Sequence, residues 1–387
     1  MLKTGVLLVF FVAGSIVALG QQSRSARNEK PTSVGQQPAS ARALTVGKNG
    51  TVSEAERLTR SGNNRWLAGD FAGAIQAFRI ASEREPKLYA AQYNLAVAYL
   101  SQGNYRLALD PLKRLLMGNP KSIELLQYLG RAYYEVKDFQ NALQCFEQTA
   151  KLALHSSVPP NNLGYAHLNL YQIDAAEEAF KKALEITPGY ASAIMGLCFT
   201  YGLAKNDALV IEFCTKARHL SPNDSTPNYF LGLAKFDSGE YAEALAFFLR
   251  SRALQPEVAS TYVALGFTQH RLKNFKEALA NFTRAMELEP SEPAINGKGV
   301  SYVSLKKYNE AEECFRQALA FAPNSFQTRF NLGMVCLIRE KRDCALQQYN
   351  FLKMFNPLLA ERLFEKIVAG RVLDLRAGHK PENSPRE

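Results

Sequence analysis

Small and large apolar residues recur in fixed columns along most of this chain, and prolines mark the period. Pro86, Pro120, Pro188, Pro222, Pro256, Pro290, Pro323 and Pro357 are spaced by 34 residues, apart from one step of 33 and one double step. The member missing from the double step falls at Leu154, which makes nine units in register. Twenty-four positions before each mark stands a small residue: Gly62, Ala96, Gly130, Gly164, Cys198, Gly232, Gly266, Gly299 and Gly333. Twelve before stands a second small column: Ala74, Ala108, Ala142, Ala176, Val210, Ala244, Ala278, Ala311 and Ala345. Eight before stands a large one: Phe78, Leu112, Phe146, Phe180, Cys214, Phe248, Phe282, Phe315 and Tyr349. Two small columns and one large column are what closely packed helix pairs need. Small residues let two backbones approach, and the ring fills the wedge between them. In the seventh unit the pattern predicts a first helix over Tyr262 to Leu272, a turn at Lys273-Asn274 and a second helix over Phe275 to Leu288. Pro290 then stops it, because proline cannot continue the ladder and disfavours a helical residue before it. Several first helices open on proline, as at Val158-Pro159-Pro160, Thr226-Pro227 and Glu292-Pro293, where the missing amide costs nothing.

These columns resemble the tetratricopeptide repeat, in its small residue eight places in, its alanine at twenty, its aromatic at twenty-four and its proline at thirty-two. Asn162-Leu163-Gly164 and Asn331-Leu332-Gly333 also carry its Leu-Gly pair. The likeness runs from about Ser53 to Pro357. It implies an all-α fold, a right-handed alpha-alpha superhelix of about nine helix-turn-helix repeats, whose inner wall is lined by first helices. The family's groove positions fall here on Arg60, Asn63 and Trp66 in the first unit and on Tyr93, Asn94 and Val97 in the second. The third gives Gln127, Tyr128, Arg131 and Tyr134; the fourth Asn161, Asn162, Tyr165 and Leu168; the fifth Met195 and Phe199. The sixth gives Tyr229, Phe230, Leu233 and Phe236; the seventh Phe267, His270 and Arg271; the ninth Phe330, Asn331 and Met334. Such a wall is rich in rings and amides. Asparagine offers both a donor and an acceptor to a partner backbone, so Asn94, Asn162 and Asn331 are expected to grip an extended segment, with aromatic anchors beside them. The family's clamp for a C-terminal carboxylate does not fit, since Thr59, Glu124 and Tyr128 stand where cations are needed.

Two departures predict local irregularity. The fifth unit has Cys198, Val210 and Cys214 in its columns, and Pro111 lies inside a second helix. After Pro357 an amphipathic stretch, residues 358–376, reads as a capping helix, because an open array otherwise exposes the apolar face of its last unit. A tail follows over 377–387.

The N-terminal end is of another kind. Lys3, the apolar run Val6 to Leu19 and the small residues Ala18 and Gly20 make residues 1–20 an expected signal peptide. An uncleaved membrane anchor is the alternative. Residues 21–52, rich in Ser, Gln, Pro, Gly and Ala, read as a flexible linker. The expected location is therefore exported, periplasmic or secreted. The net charge of +10 comes from basic residues interleaved with acidic ones, a mixed surface rather than a nucleic-acid-binding block. The five histidines show no metal-ligand spacing, no nucleophile motif appears, and Gly47-Lys48-Asn49-Gly50-Thr51 lacks the ending of a phosphate loop. No catalytic role, cofactor or metal is expected. Of six cysteines, Cys145 and Cys314 share one repeat position and read as small hydrophobes. Cys198 with Cys214, and Cys336 with Cys344, are candidate disulfides that sequence alone leaves open. The expected function is a non-enzymatic scaffold that binds peptides or extended segments of other proteins. Two alternatives stand beside it, a regulatory or substrate-presenting subunit of an enzyme on another chain and a self-associating array.

Overall fold

The computed structural model describes residues 52–377, with side chains as far as Val368. The expected signal peptide, almost all of the linker and the tail from 378 lie outside the described residues. Among the described residues there are nineteen helices and no strand, so the fold is all-α. Nine pairs run in chain order. They are α1 Glu54–Leu67 with α2 Phe71–Arg84, α3 Tyr89–Ser101 with α4 Tyr105–Gly118, and α5 Ile123–Glu135 with α6 Phe139–Leu152. Next come α7 Val158–Asn169 with α8 Ile173–Ile186, α9 Ala191–Ala204 with α10 Asp207–Leu220, and α11 Thr226–Asp237 with α12 Tyr241–Leu254. The last are α13 Ala259–Arg271 with α14 Phe275–Leu288, α15 Glu292–Ser304 with α16 Tyr308–Phe321, and α17 Phe326–Ile338 with α18 Arg342–Phe355, followed by α19 Pro357–Ala377. The chain divides into two compact units at Pro222 and Asn223, five hairpins before and four hairpins with α19 after.

Each hairpin turn places one residue in the left-handed region. Glycine does this at Gly69, Gly103 and Gly239; Lys137, Tyr171, Lys205, Lys273, Lys306 and Glu340 do it elsewhere. The second helix then starts on a short polar cap in several repeats: Asp70, Asp138 and Asn206 accept the amides of Gly73, Asn141 and Leu209. Such caps satisfy amides that have no partner within the helix. α13 begins three residues earlier than the sequence pattern predicts, because Ala259-Ser260-Thr261 carries no apolar period.

The column logic holds in atomic detail. The Phe180 ring lies so close to Gly164 that a Cβ there would sit 2.6 Å from it, and Gly196 of the next repeat closes on the other side at 2.3 Å. Phe282 is held the same way between Gly266 and Gly297. In the fifth repeat a disulfide, Cys198–Cys214, stands where other repeats stack ring on glycine, with Cα atoms 4.8 Å apart. A second joins Cys336 to Cys344 across the last hairpin turn. Cys145 and Cys314 are buried thiols, and burial pushes the Cys145 pKa up to about 11. α4 is one helix through Pro111, whose ring is buried; having no N–H, the proline leaves one bond of the helical ladder unmade there.

α19 closes the second unit. Leu363 comes down on Gly333, where a Cβ would be 2.7 Å from its methyl, and Ala360 and Ile367 join the same core. At the turn of that last hairpin, buried Glu312 of α16 receives Arg339 and Lys341, together with Arg316 from its own helix. Burial alone would raise the Glu312 pKa, but the hydrogen bonds from Lys341 and Arg316 and the charge of Arg339 hold it below the usual carboxylate range.

Candidate functional site

The first helices of the first unit are tied edge to edge by side chains from the positions expected to line a groove. Between α1 and α3, Asn94 Nδ2 donates to Asn63 Oδ1 at 2.8 Å. Between α3 and α5, the Tyr93 hydroxyl donates to Glu124 Oε1 at 2.6 Å. Between α5 and α7, Asn169 Nδ2 donates to the Tyr134 hydroxyl at 2.7 Å, and between α7 and α9 the Tyr165 hydroxyl donates to the Ser192 carbonyl at 2.8 Å. One bond per junction registers each repeat on the next. In the second unit α17 is tied to α15 in the same way: Asn331 Nδ2 donates to Asn296 Oδ1 at 3.0 Å, and Ser325 Oγ, at the cap of α17, donates to Glu292 Oε1 at 2.8 Å.

This geometry corrects the expected roles of two residues. Asn94 is 2% exposed and Asn331 6%, and both give their amide N–H to the preceding repeat rather than offering it to a partner. Asn161 is buried as well, while Asn162 stays half-buried. Several expected groove rings prove to be packing elements. Trp66, Tyr134 and Phe236 each meet the aromatic five places on, Phe71, Phe139 and Tyr241, with centroids 4.7, 5.3 and 5.2 Å apart. Tyr165 and Phe267 rest edge-on against the column rings Phe180 and Phe282. Tyr229, Phe230, Phe236, Phe267 and Phe330 of the second unit are all buried, Phe230 to 1% exposure, so they are corrected from open surface to interior. The physical reason is that first helices also pack on their neighbours, and the positions nearest that contact are covered by it. Phe199 is half-buried, and Met195 and Leu168 are buried.

What stays open lies mainly in repeats one to three. Arg60 and Arg131 are exposed, and Asn63, Tyr93, Gln127 and Tyr128 are half-buried. Sequence reasoning passed over two residues that belong with them. Glu124, entered only as a misfit to a family clamp, accepts from Tyr93 and, at 3.4 Å, from Tyr128. Tyr89 stacks on Tyr93 with centroids 5.9 Å apart. Both could have been read from the register, since Glu124 is one turn before Tyr128 and one repeat less three residues after Tyr93. Burial, then the hydrogen bond to Glu124, pushes the Tyr93 phenol above the range of any physiological titration; burial raises Tyr128 too. Both rings therefore stay neutral donors. Arg131 faces the Tyr105 ring, 5.9 Å from its centroid. In the second unit Arg271 is exposed and bonds to the Tyr241 hydroxyl. His270 packs on Phe275, and burial, with a smaller effect of Arg271, brings its pKa down to about 4. Among the described residues no cluster of three potential metal ligands occurs, and no helix is long and apolar enough to cross a membrane.

Four family models, all described as tetratricopeptide repeat, match residues 59–123, 161–190, 224–290 and 293–325. Among curated proteins, the BBSome complex member BBS4 of Bos taurus is 25% identical over 274 residues, which are 70% of this chain and 52% of that one. Intraflagellar transport protein 70A of Danio rerio is 30% identical over 153 residues, 39% of this chain and 22% of that protein. The chain thus spans about half the length of the first relative and about a fifth of the second. Among solved structures, the crystal structure of the APC/C hetero-tetramer Cut9-Hcn1 matches with a TM-score of 0.56 at 15% identity, covering 81% of this chain and 76% of that one. At that identity the likeness concerns the fold.

Proposed function

Because the chain belongs to the tetratricopeptide repeat family, whose members bind other proteins as scaffolds, we propose that it is a non-catalytic adaptor that takes an extended segment of a partner along its first helices. The observation that carries this reading is the open face of repeats one to three, where Arg60, Gln127, Tyr128 and Arg131 reach solvent beside a tyrosine cluster. Rings with polar tips and arginine are the residues from which interface anchors are built. On the first helices of the second unit Tyr229, Phe230, Phe236, Phe267 and Phe330 are buried, so partner contact centres on the first unit. A photo-crosslinking amino acid at Gln127, with Tyr128→Ala and Arg131→Ala in parallel, tests it. Crosslinks from position 127 to a defined partner, weakened tenfold or more in the double variant with helicity unchanged, are expected. Equal recovery from the variant and the parent would remove the reading.

We further propose that the protein is exported. The apolar segment at residues 1–20 and two cystine bridges support this, since disulfides persist in oxidising compartments. Intact mass of the protein from its own cells should show the first twenty residues removed and four of six cysteines resistant to alkylation without reductant. A full-length chain with six alkylated thiols would contradict export.

A further inference from the structure

The carboxylate of Glu124 is set in an aromatic surround and lacks a cation. It stands in the first turn of α5 and is exposed, and among the described residues no lysine, arginine or histidine lies within ion-pair distance of it. Arg131 is seven places on, about 10 Å along a helix; it faces the Tyr105 ring, and its charge reaches Tyr128. Both tyrosine hydroxyls approach a single oxygen, Oε1, so neither engages Oε2. Tyr128 lies 6.5 Å from Tyr93, centroid to centroid, and Tyr89 stacks on the same ring. A tyrosine face attracts a cation through its quadrupole, and a carboxylate in charge-assisted bonds binds one about twice as strongly as a neutral acceptor does. Glu124 ties α5 to α3 through Oε1 alone and is exposed, so its second oxygen stays available beside the rings.

We propose that Glu124, with Tyr93 and Tyr128, is a receptor for the lysine or arginine side chain of an extended partner segment. This rests on the reading of the first helices as a protein-binding face and names the chemistry of its partner. The aliphatic stem of such a residue would lie along the rings while its charged head meets the carboxylate, the way long cationic side chains divide between apolar and polar surroundings. Arg131 adds selectivity, because a second cation placed toward it is repelled and an acidic neighbour is favoured.

A positional-scanning array of immobilised dodecapeptides, probed with the full chain, tests this. Lysine and arginine should be enriched among binding peptides, with replacement of the enriched residue by glutamine weakening binding at least tenfold. Glu124→Gln should remove the enrichment. So should Tyr93→Phe with Tyr128→Phe, in part, while far-ultraviolet circular dichroism stays that of the parent. Binding should also weaken on raising salt from 50 to 500 mM. A variant with Arg24, Arg27, Lys30, Arg42 and Lys48 changed to Gln should bind the same peptides with unchanged preference. Tighter binding by that variant would show the receptor serving the chain's own N-terminal segment and overturn the assignment to a partner. Binding peptides without basic preference, or a preference that survives Glu124→Gln, would overturn the receptor and leave the protein-binding reading in place. No binding peptide at all would end both.

Discussion

Phe180 shows how one residue type at one spacing sets a repeat. Its ring is wedged between the backbones at Gly164 and Gly196, too near each for any side chain. Gly164→Ala should gain about 1 kcal/mol in helix propensity and lose about 1–3 kcal/mol to overpacking. The loss should win, because the ring cannot retreat from one glycine without striking the other. Phe180→Ala should cost about 3–5 kcal/mol. Urea unfolding followed by circular dichroism orders the two variants, and a stabilised Gly164→Ala would refute the wedge. His270 supplies a second residue-scale expectation. Its pKa in the folded chain is about 4, against about 6.5 unfolded. A histidine with a lowered folded pKa binds its proton preferentially when unfolded, so stability is complete above pH 6.5 and declines as pH falls from there towards 4. At pH 5 the loss is about 2 kcal/mol. In His270→Asn the decline between pH 6.5 and 5 should be absent from the dependence of melting temperature on pH.

At the scale of the hairpin, the fifth repeat exchanges packing for covalent bonding. Its small column and its ring column are both cysteine, and the bridge between them closes a loop of 16 residues. Constraining a loop of about that length stabilises by about 3 kcal/mol in the chain-entropy account. Reduction should therefore lower the melting temperature, and Cys198→Gly with Cys214→Phe, which restores the common pair, should recover much of it and respond to reductant only through Cys336–Cys344. If the reduced parent melts where the oxidised one does, the bridge is not a structural element. The contrast also marks what a sequence shows. Columns at fixed spacing fix the hairpins, because the same contact must be made in each repeat, so Phe282 and Gly266 could be paired without coordinates. The departure at Cys198 and Cys214 was legible as a departure. Its resolution was not, since a bridge depends on Cβ directions that spacing does not give. The same holds for Asn94 and Asn331. Their position faces the expected groove, yet their amides lie close enough to the previous repeat to be claimed by it, a matter of a few ångströms that no register records.

For each unit as a whole, helices pack chiefly against those one or two places along the chain. An array of this kind has no single core, and its stability approximates a sum of repeat and nearest-neighbour contributions. The wall of open residues was readable only in outline for that reason. Family register names every inward position alike, whereas burial differs from repeat to repeat with the local neighbour, so that Tyr128 stays half-open and Phe230 is covered. Nearest-neighbour coupling has a measurable consequence for the energetics. Damage at one repeat should spread to its neighbours and fade, rather than unfold the unit at once. Phe180→Ala should raise amide exchange in α7, α8 and α9 first, because its ring is shared by Gly164 of α7 and Gly196 of α9, while α1 and α2, three hairpins away in the same unit, keep parental protection. In the second unit Leu363→Ala, which leaves Gly333 uncovered, should loosen α17 and α18 at a cost of about 2–5 kcal/mol and leave α11 and α12 unchanged. Hydrogen exchange read by mass spectrometry on peptides from each helix distinguishes the cases. Uniform loss of protection across either unit would mean cooperative folding as one body, and the additive description would fail.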